Sequence, residues 1–76
     1  MTKDEVRNQL LIMIQEDFYE YQAGYIDYLI ENAMTDIRKM PLKQIAQFYS
    51  DETEIVAESL GIEESELQKM IDEEKT

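Results

Sequence analysis

Apolar residues return at helical intervals along almost the whole chain. Val6, Leu10, Met13, Ile14, Phe18 and Tyr21 fall on one side of an α-helical period and predict a first helix. Thr2 stands ahead of it as a cap, and Glu5 is spaced to complete a capping box. Leu11 and Ile12 widen the apolar face well past a normal stripe. A helix apolar over so much of its girth is central in a bundle or shared with a second subunit. Ile26, Leu29, Ile30, Ala33, Ile37 and Met40 form a second stripe. The two stripes do not merge into one straight face, so the chain is expected to bend at Gly24. The alternative is a single long helix from Lys3 to Lys39, since a lone glycine costs a helix only about 1 kcal/mol. Arg38 and Lys39 close the second stripe, where cations suit the helix dipole.

Pro41 stops that helix and can occupy the first turn of the next. Leu42, Ile45, Ala46, Phe48 and Tyr49 predict a short third helix. Ser50 or Asp51 is placed to cap a fourth, with Asp51, Glu52 and Glu54 in its first turn. Gly61 ends the fourth, a fifth runs from about Glu63 to Glu74, and Lys75 and Thr76 fray. The pattern predicts an all-α domain spanning 1–76, a small bundle of four to five helices. Residues 1–40 make its N-terminal two-helix part and residues 41–76 a three-helix part. No internal repeat or linker interrupts it.

The spacing around Gly61 is specific. Ala57 is a small residue four positions before it, Ile62 follows it directly, and Val56, Leu60, Leu67, Met70 and Ile71 are apolar on either side. Two helices crossing through a tight turn need a small residue at the approach, a left-handed residue at the turn and apolar residues on both arms. Through Val56, Ala57, Leu60, Gly61, Ile62, Leu67 and Met70, the stretch from Glu54 to Asp72 resembles the DNA-binding helix-turn-helix of repressors, over about a quarter of the chain. In that family the second helix enters the major groove. The corresponding exposed positions here are Glu63, Glu64, Ser65, Gln68, Lys69 and Asp72, with Glu66 beside them. Affinity for DNA comes largely from neutralising phosphates with Lys and Arg, and three glutamates repel phosphate. The resemblance implies the shape of the unit; the charge opposes DNA binding.

Composition removes most chemistry. The chain has no Cys and no His, which excludes disulfides and thiolate metal sites and takes away the commonest general base. A di-iron bundle would need Glu-x-x-His pairs, and neither Asp51 nor Asp72 begins an EF-hand loop. No cofactor-binding motif, metal set, activated nucleophile or phosphate loop is present, so no catalytic residue is expected. No apolar run approaches the length of a membrane span, and the N-terminal segment lacks the shape of a signal peptide, which makes a cytoplasmic location the expectation. The net charge is −11, from 18 acids against 7 bases. Residues 1–40 carry 4 bases and 8 acids, and residues 41–76 carry 3 bases and 10 acids. Acidity is concentrated in the half that resembles a helix-turn-helix. Direct binding to nucleic acid or to an anionic membrane is disfavoured.

What remains is a binding surface for protein. The first candidate is the acidic face of Asp51, Glu52, Glu54, Glu58, Glu63, Glu64, Glu66, Gln68, Lys69 and Asp72. The second is an apolar and tyrosine-rich patch of Leu11, Ile12, Tyr19, Tyr21, Tyr25 and Tyr28, since tyrosine is enriched in interfaces; the plainer reading is rings packed in the bundle with their hydroxyls at the rim. The expected function is non-enzymatic: a small acidic interaction module that regulates or inhibits a cytoplasmic protein. A sharper alternative is a DNA mimic whose carboxylates occupy the basic groove of a nucleic-acid-binding protein, resembling in size and charge the small acidic mimics of phage and mobile elements. A helix-turn-helix regulator and a structural oligomer subunit, with a homodimer among its forms, are further alternatives.

Overall fold

Thr2 and Glu5 bond each other as a capping box. The Thr2 N–H donates to Glu5 Oε1 at 2.9 Å, and the Glu5 N–H donates to Thr2 Oγ1 at 3.2 Å. From this cap α1 runs Lys3–Tyr21. In the computed structural model the backbone is described for residues 1–21 and 27–74, and side-chain surroundings for 1–20 and 29–74. Four more helices follow: α2 (Asp27–Arg38), α3 (Leu42–Tyr49), α4 (Thr53–Leu60) and α5 (Glu64–Glu73). Among the described residues the protein is all-α, a small bundle of five helices.

The expected bend at Gly24 lies outside the described residues. A straight course from Lys3 to Lys39 is excluded by one contact. An Arg7 guanidinium nitrogen donates to the Arg38 carbonyl at 2.9 Å. In a straight helix those residues would stand about 46 Å apart. The chain reverses, and α1 and α2 pack against each other.

One apolar cluster joins all five helices: Val6, Leu10 and Ile14 from α1, Ile30, Met34 and Ile37 from α2, Leu42, Ile45 and Ala46 from α3, Val56, Ala57 and Leu60 from α4, and Leu67 and Ile71 from α5. No polar or charged residue is buried with them among the described residues. The wide apolar face of α1 has a structural cause, because α1 touches α2, α3 and α4 and is central. Leu11, Met13 and Phe18 are partly buried against the cluster, whereas Ile12 is half exposed. The second stripe differs in register from the one expected. Ile30, Met34 and Ile37 are buried, Ala33 is half-buried and Leu29 is exposed. The spacing 30, 34, 37 follows one row of a helix surface, and Leu29 lies off that row.

The α4–α5 turn forms as the glycine predicts. Gly61 has φ 75°, ψ 28°. Its N–H donates to the Glu58 carbonyl at 3.1 Å, and the Ile62 N–H donates to the Ala57 carbonyl at 3.0 Å. This is a Schellman closure, with Ile62 packed on the core beyond it. The start of α4 is corrected. Asp51 does not cap it, and Glu52 takes the N-cap position with no side-chain cap bond. Ser50 Oγ instead accepts the Glu52 N–H at 3.2 Å, two residues early, while the Ser50 N–H closes α3 on the Ala46 carbonyl. Across this corner the Tyr49 hydroxyl donates to Ser59 Oγ at 3.2 Å, tying α3 to α4. Pro41 also sits one position earlier than a first-turn residue, as the N-cap of α3.

At the opposite end of the bundle, one ion pair holds several helix ends together. Arg7 donates to the Arg38 carbonyl and, at 3.0 Å, to the Met40 carbonyl, and its guanidinium lies 3.5 Å from Glu74 Oε1. Glu74 Oε1 also accepts the Leu42 N–H at 2.9 Å. Arg7 thereby takes carbonyls left over at the end of α2, and Glu74 takes a free N–H at the start of α3, where Pro41 offers no capping side chain. Both side chains are only about one-fifth exposed, at 22% and 20%.

Two mutational outcomes follow. Ala57→Arg forces a long charged side chain into the crossing and should destabilise by about 3 kcal/mol or more, read as a lower denaturation midpoint; an unchanged midpoint would show the crossing tolerates the volume. Arg7→Met and Glu74→Met should each destabilise by about 2 kcal/mol, with the double variant costing clearly less than their sum, since each single change strands a charge. Strict additivity in denaturant unfolding would mean the pair is not coupled.

Candidate functional site

The acidic face is built on α4, its glycine turn and α5. Val56, Ala57 and Leu60 point one side of α4 inward, which turns Glu54 and Glu58 outward one helical turn apart. Leu67 and Ile71 do the same for α5, so Glu64, Gln68 and Asp72 form an outward row, with Ser65 and Lys69 beside it. Gln68 Nε2 donates to Asp72 Oδ1 at 3.1 Å within that row. Asp51, Glu52, Glu54, Glu58, Glu63, Glu64, Gln68, Lys69 and Asp72 are all exposed. Glu66 stands apart from them. It is half-buried and turned toward the amine of Met1, 3.7 Å from its Oε1, so α1's start covers that flank of α5.

Lys69 is the one base on α4 and α5. Lys3, Arg7 and Lys39 line a depression at the far end of α5, with Asp4, Met40, Pro41 and Glu74. The last turn of α5 contains no base of its own. Lys3 Nζ, 4.0 Å from Glu74 Oε2, and Arg7 supply positive charge to it from α1. Glu74 Oε2 is buried with no hydrogen bond among the described residues. Bases thus collect at one end of α5, while Glu58, Glu63 and Glu64 mark the other.

The second candidate patch is only partly brought together. Tyr19 is 44% exposed and Ile12 50%, seven residues apart on one row of α1, but Leu11 is partly buried against the core. The Tyr21 side chain, Tyr25 and the Tyr28 side chain lie outside the described residues. Tyr49 has its ring half-buried and its hydroxyl at the rim on Ser59. Exposed apolar residues that the sequence reading did not single out are Phe48, at 50%, and Ile55, at 42%. The Phe48 ring meets Phe18 edge-on, with centroids 6.0 Å apart. Ile55 was legible as an apolar residue in an acidic first turn; Phe48 was hidden in an apolar pattern that counts it as core.

A crevice of about 50 Å³ runs between α3, α4 and α5, lined by Lys43, Gln47, Ser50, Thr53 and Gln68 over Ala46, Val56 and Ile71. It has room for a few waters and is far below the roughly 300 Å³ of a small-molecule site. Among the described residues no three carboxylates converge where a metal ion could be held. No helix among them is long and apolar enough to cross a membrane. Compared with known proteins, the chain matches no family model, no curated protein and no solved structure.

The surroundings of Glu5 lower its pKa. The Thr2 N–H bond contributes most, the Thr2 hydroxyl and the Met1 amine add to it, and slight desolvation opposes them. A general acid needs the reverse shift. Because the folded pKa is depressed, the capping box stabilises fully above the ordinary glutamate pKa of about 4.3 and is lost as pH falls through the lower folded value. Carboxyl NMR titration should place Glu5 below the ordinary range, and Thr2→Ala, which removes the hydroxyl and keeps the main-chain donor, should bring it only part of the way back; a normal Glu5 titration in the wild type would refute the box in solution.

Proposed function

We propose that the protein is a non-enzymatic interaction module, a regulator or inhibitor that meets a protein partner through the carboxylates of α4 and α5. The observation that carries this is the arrangement of charge. Glu54, Glu58, Glu63 and Glu64 stand exposed on two helices fixed by the Gly61 closure, while Lys3, Arg7 and Lys39 sit around the distant end of α5. An unbalanced surface of this kind steers a basic partner from a distance and rejects acidic ones. The helix-turn-helix resemblance fits as shape: a convex second helix presented for docking, with its charge sign inverted. The surroundings in which such a module acts are proposed to be cytoplasmic.

A sharper reading is DNA mimicry. Glu54 with Glu58, and Glu64 with Asp72, repeat carboxylates along outward helix rows, as phosphates repeat along a backbone. The target would then be the basic groove of a nucleic-acid-binding protein, and duplex DNA would compete with the module for it.

The test compares proteins captured from cell lysate by the immobilised wild type and by the Glu58→Gln/Glu63→Gln/Glu64→Gln variant. These side chains are exposed, so the variant should keep the fold. The expected result is a specific partner released by about 1 M salt, where the screening length is about 3 Å, and lost from the variant. Equal capture by both proteins would overturn the acidic-face reading. Displacement of that partner by duplex DNA would select mimicry, and indifference to DNA would reject it.

A further inference from the structure

Phe48 and Ile55 are half-exposed apolar side chains on either side of the Ser50–Glu52 connection between α3 and α4. Neither is needed to fill the core, which Ile45, Ala46, Val56 and Ala57 complete from the same helices. The corner that presents them is bonded from both sides. The Phe48 ring rests edge-on against Phe18, Tyr49 reaches Ser59, and Ser50 and Glu52 close the connection. Apolar side chains on a backbone this constrained lose little entropy when a partner covers them.

The charge around the corner selects the occupant. Asp51, Glu52, Glu54 and Glu58 are exposed, and the chain has no base between Lys43 and Lys69. A second copy of this chain would bring the same carboxylates against them, and a nucleic acid or an anionic membrane would be repelled. A helix with an apolar stripe flanked by Lys and Arg satisfies both the apolar side chains and the acids. By contrast, Ile12 and Tyr19 share the outer row of α1 with Glu5 and lack such a paired corner.

We propose that the α3–α4 corner docks a basic amphipathic helix of a partner protein. Phe48 and Ile55 receive its apolar stripe, and Asp51, Glu52 and Glu54 meet its flanking cations. This rests on the interaction-module reading and moves the anchor of that interaction from the α5 row to the corner. Rim charges set the rate of encounter, while a covered aromatic side chain sets how long the complex lasts.

The probe is a labelled leucine–lysine peptide with leucine at helical spacing, titrated into isotopically labelled protein and followed by amide NMR shifts and anisotropy. A lysine–glutamine peptide of equal charge is the control. The expected result is shifts centred on Phe48, Asp51, Glu52 and Ile55. Binding of the control peptide should be weaker by about tenfold or more, and Phe48→Ala should cost about tenfold or more. Circular dichroism establishes that Phe48→Ala is folded; should it unfold, Asp51→Asn/Glu52→Gln, on exposed side chains, must weaken the leucine–lysine peptide severalfold. Equal affinity for both peptides overturns the proposal, as does a silent corner. If the shifts centre on Glu64, Gln68 and Asp72 instead, the corner is rejected while the acidic-face reading stands. If shifts centre on Ile12 and Tyr19, both surfaces are rejected for this ligand class.

Discussion

The contact between Arg7 and Glu74 ties together helix ends that the apolar core by itself leaves unbonded. It brings together the first third of α1, the end of α2, the start of α3 and the end of α5. Each of these ends has an unmet need. The last carbonyls of α2 lack donors, α3 begins at a proline that caps nothing, and the last turn of α5 has no cation. One guanidinium and one carboxylate answer all three. The arrangement has a cost, since Glu74 Oε2 is buried without a hydrogen bond among the described residues and Arg7 gives up part of its hydration. Its value lies in register more than in net energy. Sliding α5 along α1 by one turn would separate the charges and strand the Leu42 N–H.

The rest of the interior contains no such polar decision. Its buried side chains are apolar throughout the described residues, and α1 lies between α2, α3 and α4. Nearly all of the negative charge is therefore on the outside, where it repels itself and contributes nothing to the core. The fold tolerates this because the acids are spread over outward rows of α4 and α5 and because the bases are spent where structure needs them. Arg7 and Lys3 serve the α5 terminus. That allocation leaves Lys69 as the one base on α4 and α5. The polarity of the surface is thus a by-product of how the clasp uses its cations.

Local rules read most of this architecture correctly from the sequence. The Thr2–Glu5 box, the stop at Pro41, the left-handed Gly61 and the packing of Ala57 each depend on residues within one turn of each other, and each is present. The failures have a common physical cause. The periodicity includes Leu29 and leaves out Met34 because a stripe of six apolar residues fits two neighbouring rows, and only the position of α1 chooses between them. Intrinsic preference offers Ser50 or Asp51 as the cap of α4, yet Ser50 is committed to closing the corner and the N-cap position falls to Glu52. The Arg7–Glu74 clasp spans 67 residues and no periodicity announces it. Its trace in the sequence is negative: a helix start at Pro41 without a capping side chain, which requires an acceptor from elsewhere. The acidic face was legible residue by residue, whereas the half-exposed Phe48 was concealed, since a pattern of apolar residues cannot say which of them the fold leaves outside.

Shape and charge pull the α4–α5 unit in opposite directions, and the structure shows where the two can be reconciled. A helix pair closed through Gly61 holds its second helix rigidly outward, which suits insertion into a groove. Carboxylates on that helix would repel the phosphates of a duplex, and in the proposed reading they meet the basic groove of a partner protein. Long-range attraction alone gives speed and poor discrimination, because any basic surface answers it. Discrimination requires a desolvated contact of defined shape. On the α5 row the exposed side chains are polar, so they supply little of it. The α3–α4 corner, a few residues away in sequence, supplies two apolar side chains on a bonded backbone within the same negative field. A partner recognised by both elements must combine positive charge with an apolar stripe at helical spacing. That is a more restrictive requirement than either element imposes by itself.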